Sequence, residues 1–355
     1  MISILSVKTM EQKNTEHYLF YASLSYSFNV LRPLQKAIEE RGARVCWFIP
    51  KDSEAEHYLL PQDERLTTIG AVKRYNAKAT VAPGNVIPDF FPGLKVQVFH
   101  GLNSGKKNRV VIRNLFDLYC TLGPIATALF SEVTNGTCEI VETGWSKLDT
   151  LFTQHQQTQL FTDSRPTILY APTFSPKLRS TYDLLPEISR LSQRSDWKWL
   201  IKLHPKALKE EVEQYKALSN ENLTFVETSD IIPLLQASDV LLSDTSSVLS
   251  EFALLNKVVV TYKNRVPQPW MMNITQAEQL ESTIEQALAP SEEHLNNIRR
   301  YASVVHPYTD GKSSERILTA IDSLHKRGLG HLKPKPLNLF RRLKLRKQLG
   351  YYHWH

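Results

Sequence analysis

Apolar positions along the chain alternate between two periods, and the alternation predicts the architecture. Residues 18–23 form a short apolar run that reads as a strand. Residues 28–41 carry Leu31, Leu34, Ala37 and Ile38 on one helical face, with Gly42 as a stop. A strand at 44–49 completes a strand–helix–strand opening. Apolar stretches at 79–82, 96–99, 118–122 and 139–142 read as further strands, and the Gln- and Thr-rich stretch 153–166 as a linker. A second series follows. Its strands are expected at 167–171, 197–203, 223–226, 240–243 and 258–262, and its helices at 183–192, 206–218, 231–237 and 246–255. Three more helices are expected at 275–288, 291–304 and 313–326. Strands alternating with helices predict parallel, doubly wound sheets. The fold class is therefore α/β, with two Rossmann-like domains facing across a cleft: 1–152, the linker 153–166, and 167–325, followed by a tail at 326–355.

Length changes this picture little, since 355 residues suit two domains of ~100–200 residues each. No apolar run approaches the ~18–20 residues that span a bilayer, and the first residues lack the basic start and long apolar core of a signal peptide. A cytoplasmic location is expected. Cys46, Cys120 and Cys138 lie far apart in apolar segments, which argues against a zinc site or disulfide framework and for small buried hydrophobes.

Charge changes more. The formal net charge is +7, yet nine basic residues fall from Lys326 onward and no acidic residue follows Asp322, which leaves the first 325 residues at −2. A nearly neutral body argues against nucleic-acid binding. In the tail the bases interleave with Leu337, Leu339, Phe340, Leu343, Leu345 and Leu349, then Tyr351, Tyr352 and Trp354, after a hinge at Pro334 and Pro336. That pattern suits an anionic membrane surface through 333–355; a solvated tail is the plain alternative.

Several signatures are excluded. Gly101–Asn108 has the wrong glycine spacing for a Walker A loop and Lys107 where Ser or Thr is needed. There is no GxGxxG, GxSxG, HExxH or DxD, so no metal and no organic cofactor are expected. What remains is polar chemistry at strand ends, where parallel sheets bind ligands. His100 follows an apolar strand and suits a general base, Gly101 permits close backbone approach, and Lys106, Lys107 and Arg109 could meet a phosphate-bearing acceptor. His204 ends another strand in the run Leu203-His-Pro205. The turn Ser243-Asp-Thr-Ser-Ser247 (Asp244, Thr245, Ser246, Ser247) opens a helix and could bind phosphate, with Glu251 placed to reach a ribose. Thr173 could donate to a diphosphate. Asp310 and Gly311 make a turn before a helix that opens at Ser313, and Lys312 or Arg316 could neutralise a leaving phosphate.

In this order the segments resemble one family, the CDP-glycerol glycerophosphotransferases, which build teichoic acids and related polymers on a two-domain GT-B fold. The matching stretches are His100-Gly101, Gly144-Trp-Ser-Lys-Leu-Asp149, 168–173, Leu203-His-Pro205, 237–247, 251–255 and 310–316. The resemblance implies that His100 and His204 are the essential histidines and that Asp244 to Ser247 and Asp310 to Arg316 belong to the donor site. Two departures stand out: Thr245 replaces a usual Tyr, and Lys147 replaces the Arg of a Gly-x-Pro-Arg-x-Asp motif. The resemblance further implies transfer of a polyol phosphate from CDP-glycerol or a related CDP-polyol to a lipid-linked glycan acceptor. The first domain would face the acceptor and the second the CDP donor, and the enzyme would lie peripherally on the inner face of the membrane. A nucleotide-sugar glycosyltransferase, a UDP-sugar 2-epimerase and a non-catalytic nucleotide-binding protein of the same fold are the alternatives.

Overall fold

The computed structural model describes residues 15–101, 110–153, 164–228 and 230–352. Among them two six-stranded sheets form, both fully parallel. The first contains β1 (His17–Tyr21), β2 (Arg44–Phe48), β3 (Ala79–Ala82), β4 (Leu94–Gln97), β5 (Leu118–Thr121) and β6 (Glu139–Glu142), in the order β2-β1-β3-β4-β5-β6. The second contains β7 (Thr167–Tyr170), β8 (Lys198–Ile201), β9 (Leu223–Phe225), β10 (Val240–Ser243), β11 (Val258–Tyr262) and β12 (Met271–Ile274), in the order β12-β11-β10-β7-β8-β9. Central strands such as Ile168, Leu169 and Tyr170 are wholly buried, as a sheet covered on both faces requires. Strand order reverses between β1 and β3 in one sheet and between β7 and β10 in the other, and such reversals open ligand crevices.

The helices are α1 (Ser27–Glu40), α2 (Ile69–Arg74), α3 (Pro124–Val133), α4 (Lys147–Thr153), α5 (Thr181–Leu191), α6 (Lys209–Ala217), α7 (Ile232–Ala237), α8 (Val248–Ala253), α9 (Leu280–Leu288), α10 (Glu292–Val305), α11 (Ser313–Arg327) and α12 (Leu339–Gln348). In α1, Phe28, Leu31, Leu34 and Ile38 are buried, the face that the apolar spacing predicts.

Three expectations need correction. The second sheet has six strands rather than five: β12 is a partly exposed edge strand without β-branched residues until Ile274, so it gives no apolar run. The expected unit 167–325 is divided in space, because α11 buries Ile317, Leu318, Ile321 and Leu324 against α1, α4, β4 and β5 of the first half. The tail is not a hinged tether. Arg346 donates to Asp89 at 2.8 Å, Lys335 pairs with Asp117, Asn338 donates to Arg113 O at 2.9 Å, and Tyr351 packs on Phe90 at 4.3 Å. This docking buries Leu345 and Tyr351 and leaves Leu337, Leu339, Leu343 and, at 91% exposure, Phe340 facing outward. Among the described residues no helix is long and apolar enough to cross a membrane.

The halves meet through α4. Lys147 donates to Glu251 of α8 at 2.5 Å, and Gln236 of α7 donates to Leu151 O at 2.8 Å. Helices α10 and α3 pack together as a second contact. Most of the linker expected at 153–166 lies outside the described residues.

Candidate active site

At the carboxyl end of β4 the ladder continues to Val98, whose N–H donates to Ala82 O at 3.1 Å. Phe99 then adopts φ +55°, an uncommon angle for a bulky residue, with its ring buried 4.9 Å from Phe130. The turn throws His100 outward. Its ring is exposed and stacks on Tyr26 at 4.6 Å, and Nδ1 lies 3.2 Å from Pro83 O. A carbonyl oxygen only accepts, so that bond places the proton on Nδ1 and leaves the Nε2 lone pair free. No described atom outside its chain neighbours lies within 4 Å of a Cβ built on Gly101. Lys106, Lys107 and Arg109 lie outside the described residues.

His204 ends the extension of β8 with the opposite polarity. Its ring is exposed, packs on Phe174 at 4.3 Å, and its Nδ1 accepts the backbone N–H of Lys206 at 3.0 Å. The proton of the neutral ring therefore sits on Nε2, which is a donor. Burial, then the neighbouring charges of Lys202 and Lys206, hold the imidazole below its ordinary pKa and favour that neutral form.

The Ser243–Ser247 turn follows β10 and occupies the β7/β10 reversal. Asp244, however, faces inward. Its carboxylate is fully buried and accepts Thr173 N–H at 2.9 Å, Ser180 N–H and O–H at 3.1 Å each, and Thr245 N–H at 2.6 Å. Burial raises its pKa and the amides oppose that rise. Asp244 is a clasp that orders the 173–180 turn, and Thr173 N–H is already used by it. Thr245 Oγ1 is buried and without a partner among the described residues, Ser246 is half-buried, and Ser247 is exposed at the start of α8 with no capping bond from its side chain. Glu251 is not free to reach a ribose through Oε1, which Lys147 holds.

The Asp310–Arg316 segment stands beside the carboxyl end of β6, on the first-half side. Asp149 caps α11, accepting Ser313 N–H at 2.8 Å and Ser314 N–H at 2.7 Å. Gly144 (φ +84°) lies so close that a Cβ would stand 2.5 Å from Ser313 Oγ, and a Cβ on Gly311 (φ +66°) would stand 2.1 Å from Thr153 Cγ2. Two segments more than 150 positions apart thus form one joint. Trp145 N–H completes it by donating at 3.0 Å to Nε2 of His306, whose burial pushes its pKa down to about 4. Arg316 is paired with Asp310 and lies over the Tyr308 ring at 4.1 Å, so it is not a spare cation; Lys312 is exposed. No hydrogen bond or ion pair among the described residues joins this segment to the Ser243–Ser247 turn. Sequence reasoning passed over Lys202, a lysine inside the apolar run before His204 that is only 9% exposed.

Comparison with known proteins bears on this geometry. The family model of CDP-glycerol:poly(glycerophosphate) glycerophosphotransferases matches residues 96–323. The teichoic acid glycerol-phosphate primase of Bacillus subtilis (strain 168) is 28% identical over 171 residues, which cover 44% of this chain and 43% of that protein. The match thus spans less than half the length of that curated relative. Among solved structures, the wall teichoic acid polymerase TagF aligns with a TM-score of 0.64 at 17% identity, covering 89% of this chain and 90% of that one. A variant of TagF soaked with CDPG aligns at 0.62, with 16% identity and coverage of 89% and 90%. A UDP-N-acetylglucosamine 2-epimerase from Listeria monocytogenes, described as putative in its source, aligns at 0.61, with 16% identity and coverage of 88% and 98%. These structural likenesses show the shared GT-B-like fold.

Proposed function

The chain belongs to the CDP-glycerol:poly(glycerophosphate) glycerophosphotransferase family, and from that premise we propose that it transfers glycerol phosphate, or a related polyol phosphate, from a CDP-activated donor to a hydroxyl of a membrane-linked glycan or polymer. The acceptor oxygen attacks the distal phosphorus of the diphosphate. The bond from that phosphorus to the bridging oxygen breaks, its electron pair stays with the phosphate of departing CMP, and the acceptor proton passes to His100 Nε2. His204 Nε2–H donates to the diphosphate as charge gathers on the leaving group.

The observation that carries this reading is the opposed polarity of the two exposed imidazoles: Pro83 O makes His100 Nε2 an acceptor, and Lys206 N–H makes His204 Nε2 a donor. One ring is set to take a proton and the other to stabilise negative charge. The open hydroxyl of Ser247 and the backbone around it add donors at the β7/β10 crevice, where the cytidine diphosphate is assigned. The test is CMP release and product mass with CDP-glycerol, CDP-ribitol and a set of UDP-sugars, each with membrane extract. Release of CMP with a mass gain of one polyol phosphate on the acceptor is the result expected. Turnover of UDP-sugars alone would move the chain to the epimerases or glycosyltransferases that share its fold.

The acceptor's lipid gives the tail its part. The outward face of α12, with Phe340 and Leu343 flanked by exposed Lys344 and Lys347, suits an anionic membrane surface. The body would then work from the cytoplasmic side, held at the inner face of the membrane.

A further inference from the structure

Buried and half-buried lysines among the described residues have partners. Lys198 Nζ donates to Glu221 O at 2.5 Å, Lys257 Nζ donates to the carbonyls of Gln236 and Ser238 at 2.7 and 2.6 Å, and Lys78 Nζ pairs with Glu16 at 2.5 Å and Asp322 at 2.6 Å. The rule has a physical cause, since an ammonium taken from water without a counter-charge or hydrogen bond is costly. Lys202 departs from it. It is 9% exposed, and no described residue gives its ammonium a hydrogen bond or an ion pair. The carboxylate of Asp230 acts on it only at a distance, and burial pulls its pKa down.

The place of this charge is informative. Lys202 N–H still donates to Tyr170 O at 3.0 Å, so the chain remains extended past β8. Lys202 and His204, two positions apart, therefore leave it on the same side. The two are close enough for the ammonium to depress the imidazole, and Lys206 does the same from the other flank. Of the two cations that the sequence offered for this task, Arg316 is engaged by Asp310, and Lys312 is exposed on the first-half side.

We infer that Lys202 is an anion-binding residue and that its partner is the diphosphate of the CDP-activated donor, held between its ammonium and the Nε2–H of His204. The inference rests on the glycerophosphotransferase reading of the site. Its stem is packed before the donor arrives, which puts a positive charge beside the phosphate of CMP as the bridging bond breaks.

The test is calorimetric binding of CDP and of cytidine to the full chain and to Lys202→Met, which keeps length and apolar contact but removes the charge. CDP affinity should fall roughly 10- to 100-fold, the range for a hydrogen bond to a charged group. Cytidine affinity should stay unchanged. The melting temperature should not fall, because the ammonium has no partner among the described residues to lose. Lys202→Arg should recover part of the CDP affinity. Equal loss of CDP and cytidine binding together with a lowered melting temperature would make Lys202 a packing residue and overturn the inference. Unchanged CDP binding by Lys202→Met would also overturn it, and would leave the glycerophosphotransferase reading in place. A wild-type chain that binds neither CDP nor cytidine would overturn both.

Discussion

Single side chains here owe their chemistry to one backbone partner each. Pro83 O and Lys206 N–H set the two exposed histidines to opposite polarity, while burial keeps His306 neutral and able to accept Trp145 N–H. For His306 the consequence is a stability that depends on pH. Its pKa is depressed to about 4 in the fold from an ordinary 6.5, so between those values the unfolded chain binds the extra proton. The contribution is fully present above pH 6.5 and is lost as pH falls toward 4, on the order of 3 kcal/mol in all. Asp149 and Asp244, whose pKa values are raised, act with the opposite sign. The clean readout is therefore the difference between wild type and His306→Gln, which can still accept from Trp145. The variant should lose less stability between pH 6.5 and 4 in urea titrations, and parallel curves would contradict the account. At this scale the strand-end positions of His100 and His204 were legible because each follows an apolar run. Phe99's positive φ and Asp244's inward turn were not, since the first depends on packing against Phe130 and the second on Ser180, 64 positions away.

Helices and strands show why ordered motifs can be adjacent only in space. The segment from Gly144 to Asp149 and the turn at Asp310 and Gly311 look like separate signatures, yet Asp149 supplies the cap that α11 lacks within its own sequence. Gly311→Ala should destabilise the fold, since a Cβ would strike Thr153 Cγ2 and φ is +66°. Adding Thr153→Ser removes that methyl and keeps the hydroxyl that donates to Asp149 O. The double variant should recover the steric part and retain a cost of about 1–2 kcal/mol for the left-handed backbone. Equal stability of the single and double variants would show that the contact is immaterial. Most strands were legible because central parallel strands are continuous apolar runs. The edge strand β12 was not, and neither was the destination of α11, whose apolar face fixes that it must pack but not upon which sheet.

For the whole molecule, the joint at α4 and the docked tail define one solid with an apolar, basic face at α12. Arg346 and Lys335 are spent on Asp89 and Asp117, so the outward cations are Lys344 and Lys347. Deleting 333–355 would also uncover Phe90, which makes point changes the better probe. Phe340→Ser with Leu343→Ser should abolish sedimentation with vesicles containing anionic lipid and leave the melting temperature unchanged, because both side chains are exposed. Undiminished sedimentation would remove the tail from membrane binding. The central claim concerns the chemistry between the sheets, and its most direct test is the rate of CMP release from CDP-glycerol, with membrane acceptor, by wild type and by folded His100→Ala. The account predicts release by the wild type and a fall of about 10²–10⁴-fold in the variant; equal rates in the two, or no release by the wild type, would contradict it.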